Sequence, residues 1–236
     1  VNSVKYFSAE QLEYKPCVQA LSTSSSTKSM TETLTMEIST RTRIVDDVAN
    51  YICRLLEEKL TPVYAFHNVQ HTKDVVKESE RIGKASALSE EDMSVLLTAA
   101  WFHDAGYTET YDGHEAVSVQ LAEEYLSELG CAPDFVERVI SAILSTQMPQ
   151  QPRSEVEEIL CDADVANVGS DTFFDMSARL RKELEAVKGA TFTDAEWYSV
   201  QHGFCKFHRF HSEYARRVLG AKQTENLARL ERERSI

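Results

Sequence analysis

Alternation of apolar and polar residues, the mark of a half-buried strand, is hard to find anywhere in these 236 residues, and only 8 Gly and 5 Pro interrupt them. Helical spacing recurs instead. Over 31–60, Ile38, Val45 and Ile52 return every seven residues, with Val48 and Leu55 between them. Two heptads are too few for a coiled coil, so this helix is expected to pack on the domain's own core. Pro62 breaks it, and Asn68 can cap a second helix over 69–84. Ser89-Glu-Glu-Asp opens a third, with acids where the helix dipole favours them; it runs through the apolar stretch Val95–Phe102 and stops at about Gly106. Further helices are expected at 113–129, 134–146, 154–168, 171–187 and 193–219, with Pro149, Pro152, Gly169 and Gly189 at the connections.

The expectation is therefore an all-α chain with a single helical domain over 31–220. A flexible leader over 1–30 precedes it, since Leu21–Ser29 is nearly all small and polar. A charged, helix-prone tail over 221–236 follows, with little apolar surface to dock. The first residue is Val rather than Met, so processing or a longer parent chain is expected. A hydrophobic fraction of 42% and a charged fraction of 27% are enough for a real core. No apolar run approaches the roughly 18 residues that cross a bilayer, and nothing near Val1 reads as a signal peptide. Cys17, Cys53, Cys131, Cys161 and Cys205 are odd in number, scattered and without a CxxC pair, which points to a reducing compartment. A cytoplasmic protein without a membrane partner is expected. The net charge of -13 argues against long nucleic acid as a partner. A small phosphate ester stays compatible, because a bound metal can supply positive charge locally.

Three places break local rules. His103-Asp104 follows a strongly apolar stretch, and a carboxylate at the negative end of a helix is locally unfavourable. A buried carboxylate needs hydrogen bonds, a counter-charge or a metal. Asp162 and Asp164 interrupt the otherwise apolar segment that follows Val156. His67 and His71 flank the start of the second helix, where both can reach one cavity. Three separate helices thus offer imidazoles and carboxylates but no thiolate. Such mixed nitrogen and oxygen ligands suit Mn, Fe, Zn or Mg and leave positions open for water and substrate.

The order His71, His103-Asp104, Ala163-Asp164 resembles the H…HD…D signature of the HD superfamily of metal-dependent phosphohydrolases. The strings Phe66-His-Asn-x-x-His-Thr-x-Asp-Val-Val76 and Ala99-Ala-Trp-Phe-His-Asp-Ala-Gly-Tyr107 are similar to those of its predicted phosphohydrolases. The resemblance spans about 40–215 and implies a helical bundle in which His71, His103, Asp104 and Asp164 hold one divalent ion: Mn, Mg, Zn, Fe or Co. Asp104 then also serves catalysis, and Asp162 lies behind the ligands. The implied substrate is a small phosphate ester, a nucleotide or cyclic nucleotide, hydrolysed by metal-activated water. The string His67-Asn-x-x-His71 is similar to that of the cyclic-nucleotide phosphodiesterases and implies His67 as the general acid. His114, Lys73 and His208 are the candidate substrate contacts, although Phe204, Phe207 and His208 share one helical face that reads mostly as core. Thr146 stands where many relatives carry a histidine for a second metal, so a mononuclear site is expected. The alternatives on the same scaffold are an HD-type di-iron oxygenase and a non-catalytic nucleotide-sensing module.

Overall fold

The computed structural model describes residues 30–233, with side chains from Thr42 onward. Among these residues there are nine α-helices and no strand. In chain order they are α1 (Met30–Lys59), α2 (Val69–Ala85), α3 (Glu90–Phe102), α4 (His114–Glu128), α5 (Pro133–Ser145), α6 (Glu155–Asp164), α7 (Phe173–Lys188), α8 (Asp194–Phe207) and α9 (Glu213–Glu233). Short 3-10 turns at Ala105–Thr108 and Ala166–Gly169 follow α3 and α6. The expected leader, Cys17 and the side chain of Ile38 lie outside the described residues.

α3 is the hub. Beyond its acidic first turn its sequence is largely apolar on every side, and a helix of that kind is stable only when neighbours cover it all round. α1, α2, α5 and α6 do so. Val95, Leu96, Ala99, Ala100 and Phe102 are completely buried, and the two alanines leave room for close neighbours. Truncating Leu96 or Phe102 to Ala would cost about 3 kcal/mol or more. α1 lays Val48, Ile52 and Leu56 on this hub at one-turn spacing. Its described part packs on the domain's own core, as the spacing suggested.

Caps fix where the helices start. The Asn68 Oδ1 accepts from the Gln70 and His71 amides at 3.0 and 3.3 Å. Ser89 and Ser154 cap α3 and α6, and Thr193 forms a reciprocal capping box with Glu196 at α8. Each satisfies amide donors that the first helical turn leaves without partners.

Helix ends depart more from expectation. α3 stops at Phe102, so Asp104 lies outside the helix, at φ -106° and ψ 4°. The expected helix over 154–168 ends at Asp164 and gives way to a 3-10 turn. The expected helix over 193–219 is two helices, broken at 208–212. The break is held from a distance: the Asp162 carboxylate accepts the His211 and Ser212 amides, each at 2.7 Å. Nothing local in the sequence supplies those partners. Phe207, expected in a core stripe, is the last residue of α8 and is 74% exposed.

α9 runs through Gly220 without interruption, so the expected tail continues a packed helix. Gln223 donates to the Cys205 and His208 carbonyls, and Asn226 to those of Val168 and Ser170. Leu230 is buried. The tail docks through these amide side chains together with Leu227 and Leu230, and a count of apolar residues overlooks the amides. Among the described residues, no helix is long and apolar enough to cross a membrane.

Candidate metal centre

Three helix ends converge on one point. The Asn68 cap places His71 in the first turn of α2, the end of α3 places His103 and Asp104, and α6 ends on Asp164. His71 and Asp104 are each 5% exposed and His103 is fully buried. His71 Nε2 lies 3.3 Å from Asp104 Oδ2 and 3.5 Å from Asp164 Oδ1. The corresponding distances from His103 Nε2 are 3.2 and 3.5 Å. His103 Nδ1 sits 2.7 Å from the Ala100 carbonyl and donates to it, which leaves the Nε2 lone pair for the cluster.

A divalent ion fits here. One ligand atom from each of the four residues lies within 4.8 Å of every other. An ion with bonds of about 2.1 Å needs adjacent ligands about 3.0–3.4 Å apart, close to the spacing observed. His71 Nε2, His103 Nε2 and Asp104 Oδ2 are all buried without hydrogen-bond partners among the described residues. Three such atoms facing one point would be costly unless something joined them. The electrostatics agree. Burial alone would drive the His71 imidazole down, but the Asp104 and Asp164 carboxylates outweigh it and hold it up to about 9. Burial likewise opposes ionisation of Asp164, yet the His103 and His71 rings bring it down to about 2. Two ionised carboxylates in a closed space call for positive charge, which a cation or the imidazolium rings supply.

The turn after Asp104 is built for close approach. A Cβ on Gly106 would lie 2.0 Å from the His114 carbonyl oxygen, so only glycine lets the start of α4 come this near. The buried Ser118 hydroxyl clasps the same turn, donating to the His103 carbonyl and accepting the Gly106 amide. His114 Nε2 is thereby brought 3.3 Å from Asp104 Oδ1, the oxygen facing away from His71. Thr146 donates its hydroxyl proton to the Ile143 carbonyl.

Asp104, Asp164, His114 and His67 line a cavity of about 440 Å³. His67 rests on a carboxylate that sequence reasoning missed. Glu183 is fully buried and accepts the Phe66 and His67 amides at 2.7 and 2.9 Å, the Tyr111 hydroxyl at 3.1 Å, and His67 Nδ1. Burial disfavours its charge, but the His67 ring and these donors keep its carboxyl below the usual range. Tyr107, also missed, stacks between His67 and His114 at ring separations of 4.3 and 3.8 Å. Its hydroxyl lies 3.4 Å from His67 Nε2.

Two expected substrate contacts are not part of this cavity. Lys73 is exposed, because two residues of helix turn it about 200° from His71. His208 packs face to face on Phe204 and edge-on to Phe210. Burial, with help from His211 and Arg209, pushes it down to about 4. Asp162, occupied by its two backbone amides, also lies outside the cluster.

None of the curated proteins matches this chain. A solved structure of similar fold is that of a predicted HD superfamily hydrolase from an uncultured Thermotogales bacterium. The likeness has a TM-score of 0.56 and covers 80% of this chain and 91% of that one. At 18% identity it speaks for the shared helical fold alone. The family model described as HD domain matches residues 68–167, a segment that holds His71, His103, Asp104, His114 and Asp164 and begins at the Asn68 cap. The matched segment therefore carries every residue of the candidate cluster.

Proposed function

We propose that this protein is a metal-dependent hydrolase of a small phosphate ester, a nucleotide or cyclic nucleotide. The observation that carries this reading is the pair of facing groups on one cavity wall. The cluster of His71, His103, Asp104 and Asp164 stands beside an imidazole that Glu183 orients. A divalent ion held by the cluster supplies positive charge against phosphate oxygens and lowers the pKa of water. Asp104 presents Oδ2 to the cluster and Oδ1 to His114, which fixes the plane of its carboxylate. Glu183 accepts the hydrogen bond from His67 Nδ1–H, so Nε2 of the imidazolium is the atom that gives a proton to the leaving oxygen. Tyr107 O–H holds Nε2 in place when the ring is neutral. Burial raises the Tyr107 phenol far above neutrality, so it stays a donor.

The test is a screen of nucleoside mono-, di-, tri- and cyclic phosphates with Mn, Mg, Zn, Co and Fe, alongside the His67→Ala variant. Turnover with one exchangeable ion per chain is expected. The variant should keep its metal and lose about a hundredfold or more in kcat. Two tightly held irons with oxygen-dependent chemistry would refute the hydrolase, as would metal binding without turnover of any ester.

A further inference from the structure

The cavity beside the cluster is unbalanced in charge. Among its described lining residues there is no lysine or arginine, while Asp104, Glu115 and Asp164 all contribute to its wall. Asp112 also lines it but is paired with Lys188. Two lining histidines can carry positive charge, and both are already engaged: His67 by Glu183 and His114 by Asp104. Arg81 and Lys222 do lie near the cluster, in a separate cavity on the side of His71. There Arg81 is bound by Glu78, and Lys222 by Asp171 and Glu225. Away from the cluster the first cavity turns apolar. Phe173, Trp197 and Phe204 line that part, and Trp197 is fixed by its Nε1 donating to Ser177 at 3.1 Å.

We infer that the ligand of this cavity carries a single phosphate group, as a monoester or diester, on an apolar or aromatic body, and that di- and triphosphates are excluded. The inference rests on the hydrolase reading and narrows its substrate class. Three carboxylates, Asp104, Glu115 and Asp164, face the one bound divalent ion, and the groups beside them are histidines alone: His71 and His103 at Asp104 and Asp164, and His114 between Asp104 and Glu115. A single phosphate placed at the ion still gains from direct contact with it. Each further phosphate must lie away from the ion, against a wall whose described residues offer carboxylates but no lysine or arginine, since Lys188, stacked on the lining Tyr111, is held by Asp112. Like charges brought together in a cleft repel strongly, and low-dielectric walls add to the effect. The apolar end favours a flat or greasy group instead of a polyphosphate chain.

The experiment uses the Mn-loaded protein at constant free metal. Tryptophan fluorescence, with Trp197 in the cavity wall, reads the Kd for the mono-, di-, tri- and cyclic monophosphates of one nucleoside. The single-phosphate ligands should bind at least about tenfold more tightly than the triphosphate at low ionic strength. The gap should shrink when salt shortens the screening length from about 30 Å to about 3 Å. Val200, which lines the cavity and is 49% exposed, offers a place to add a cation without disturbing the core. The Val200→Lys variant should recover triphosphate binding by about tenfold. A triphosphate that binds wild type as tightly as the monophosphate at low salt would overturn the inference, and so would a gap indifferent to salt. The expected binding order without turnover by any metal would refute hydrolysis and leave the ligand class standing.

Discussion

Replacing Glu183 by Gln tests how the cavity makes an acid of His67. The substitution keeps the shape and removes the charge. The Phe66 and His67 amides donate to one carboxylate oxygen at 2.7 and 2.9 Å, and a backbone amide cannot accept. The Gln oxygen must therefore occupy that side, which turns the new NH2 towards Tyr111 and His67 Nδ1. Tyr111 can accept. The ring can accept only as the neutral tautomer with its proton on Nε2. The imidazolium, with N–H at both positions, would meet a donor with a donor. A hydrogen bond to a charged group contributes about 1.5–3 kcal/mol, and about 1.36 kcal/mol corresponds to a factor of ten in rate. The Glu183→Gln variant should lose about ten- to a hundredfold in kcat on an alkyl phosphate ester. On a nitrophenyl ester, whose leaving group needs little protonation, the loss should be small. Metal content should be unchanged, since Glu183 is not part of the cluster. Steady-state kinetics on the two esters, with elemental analysis of the same samples, decide the matter. Equal losses on both substrates would refute the orienting role, and loss of metal would refute the separation of acid from cluster.

The two aspartates of α6 should behave oppositely. Asp164→Asn is expected to lose tight metal binding and stay folded, whereas Asp162→Asn should keep its metal and lose about 1–3 kcal/mol in a denaturant titration, because two backbone donors lose a charged acceptor. The reverse outcome would make Asp162 the ligand. Gly106→Ala should cost about 3 kcal/mol, since the added methyl meets the His114 carbonyl at 2.0 Å, and it should weaken metal binding by displacing Asp104. A normal melting temperature would refute the close approach. Metal binding should release protons at neutral pH. In the metal-free protein the Asp104 and Asp164 carboxylates hold His71 up to about 9 against the effect of burial, so the ring is protonated at pH 7 and must lose that proton to bind. Release should fade as pH rises past about 9, and calorimetry in buffers of different ionisation enthalpy would expose its absence.

The cluster was legible because each of its members breaks a local rule that a reader can see. Asp104 follows an apolar stretch, Asp164 closes one, and His71 stands just inside a cap. The caps at Asn68, Ser89 and Thr193 are local devices too, so α2, α3 and α8 begin within a residue or two of where the sequence places them. Glu183 carries no such mark. It sits in Arg181-Lys-Glu-Leu-Glu185, where any of the charged residues reads as a solvated helix face. Only the arrival of Phe66 and His67, more than a hundred residues away in the chain, makes that carboxylate buried and useful. The break between α8 and α9 has the same origin, in Asp162, and the docked tail does so in Gln223 and Asn226.

These misses share a cause. A polar side chain that satisfies a distant backbone group has no periodicity and no neighbouring partner, so its role exists only once the fold has chosen its contacts. Histidine and aspartate at helix ends announce a site because the local alternative is unfavourable. A glutamate in a charged helix announces nothing, because there the local alternative is the ordinary one. The chemistry proposed for this cavity needs both kinds: a cluster that the sequence advertises, and an orienting carboxylate recognisable only by the donors that surround it.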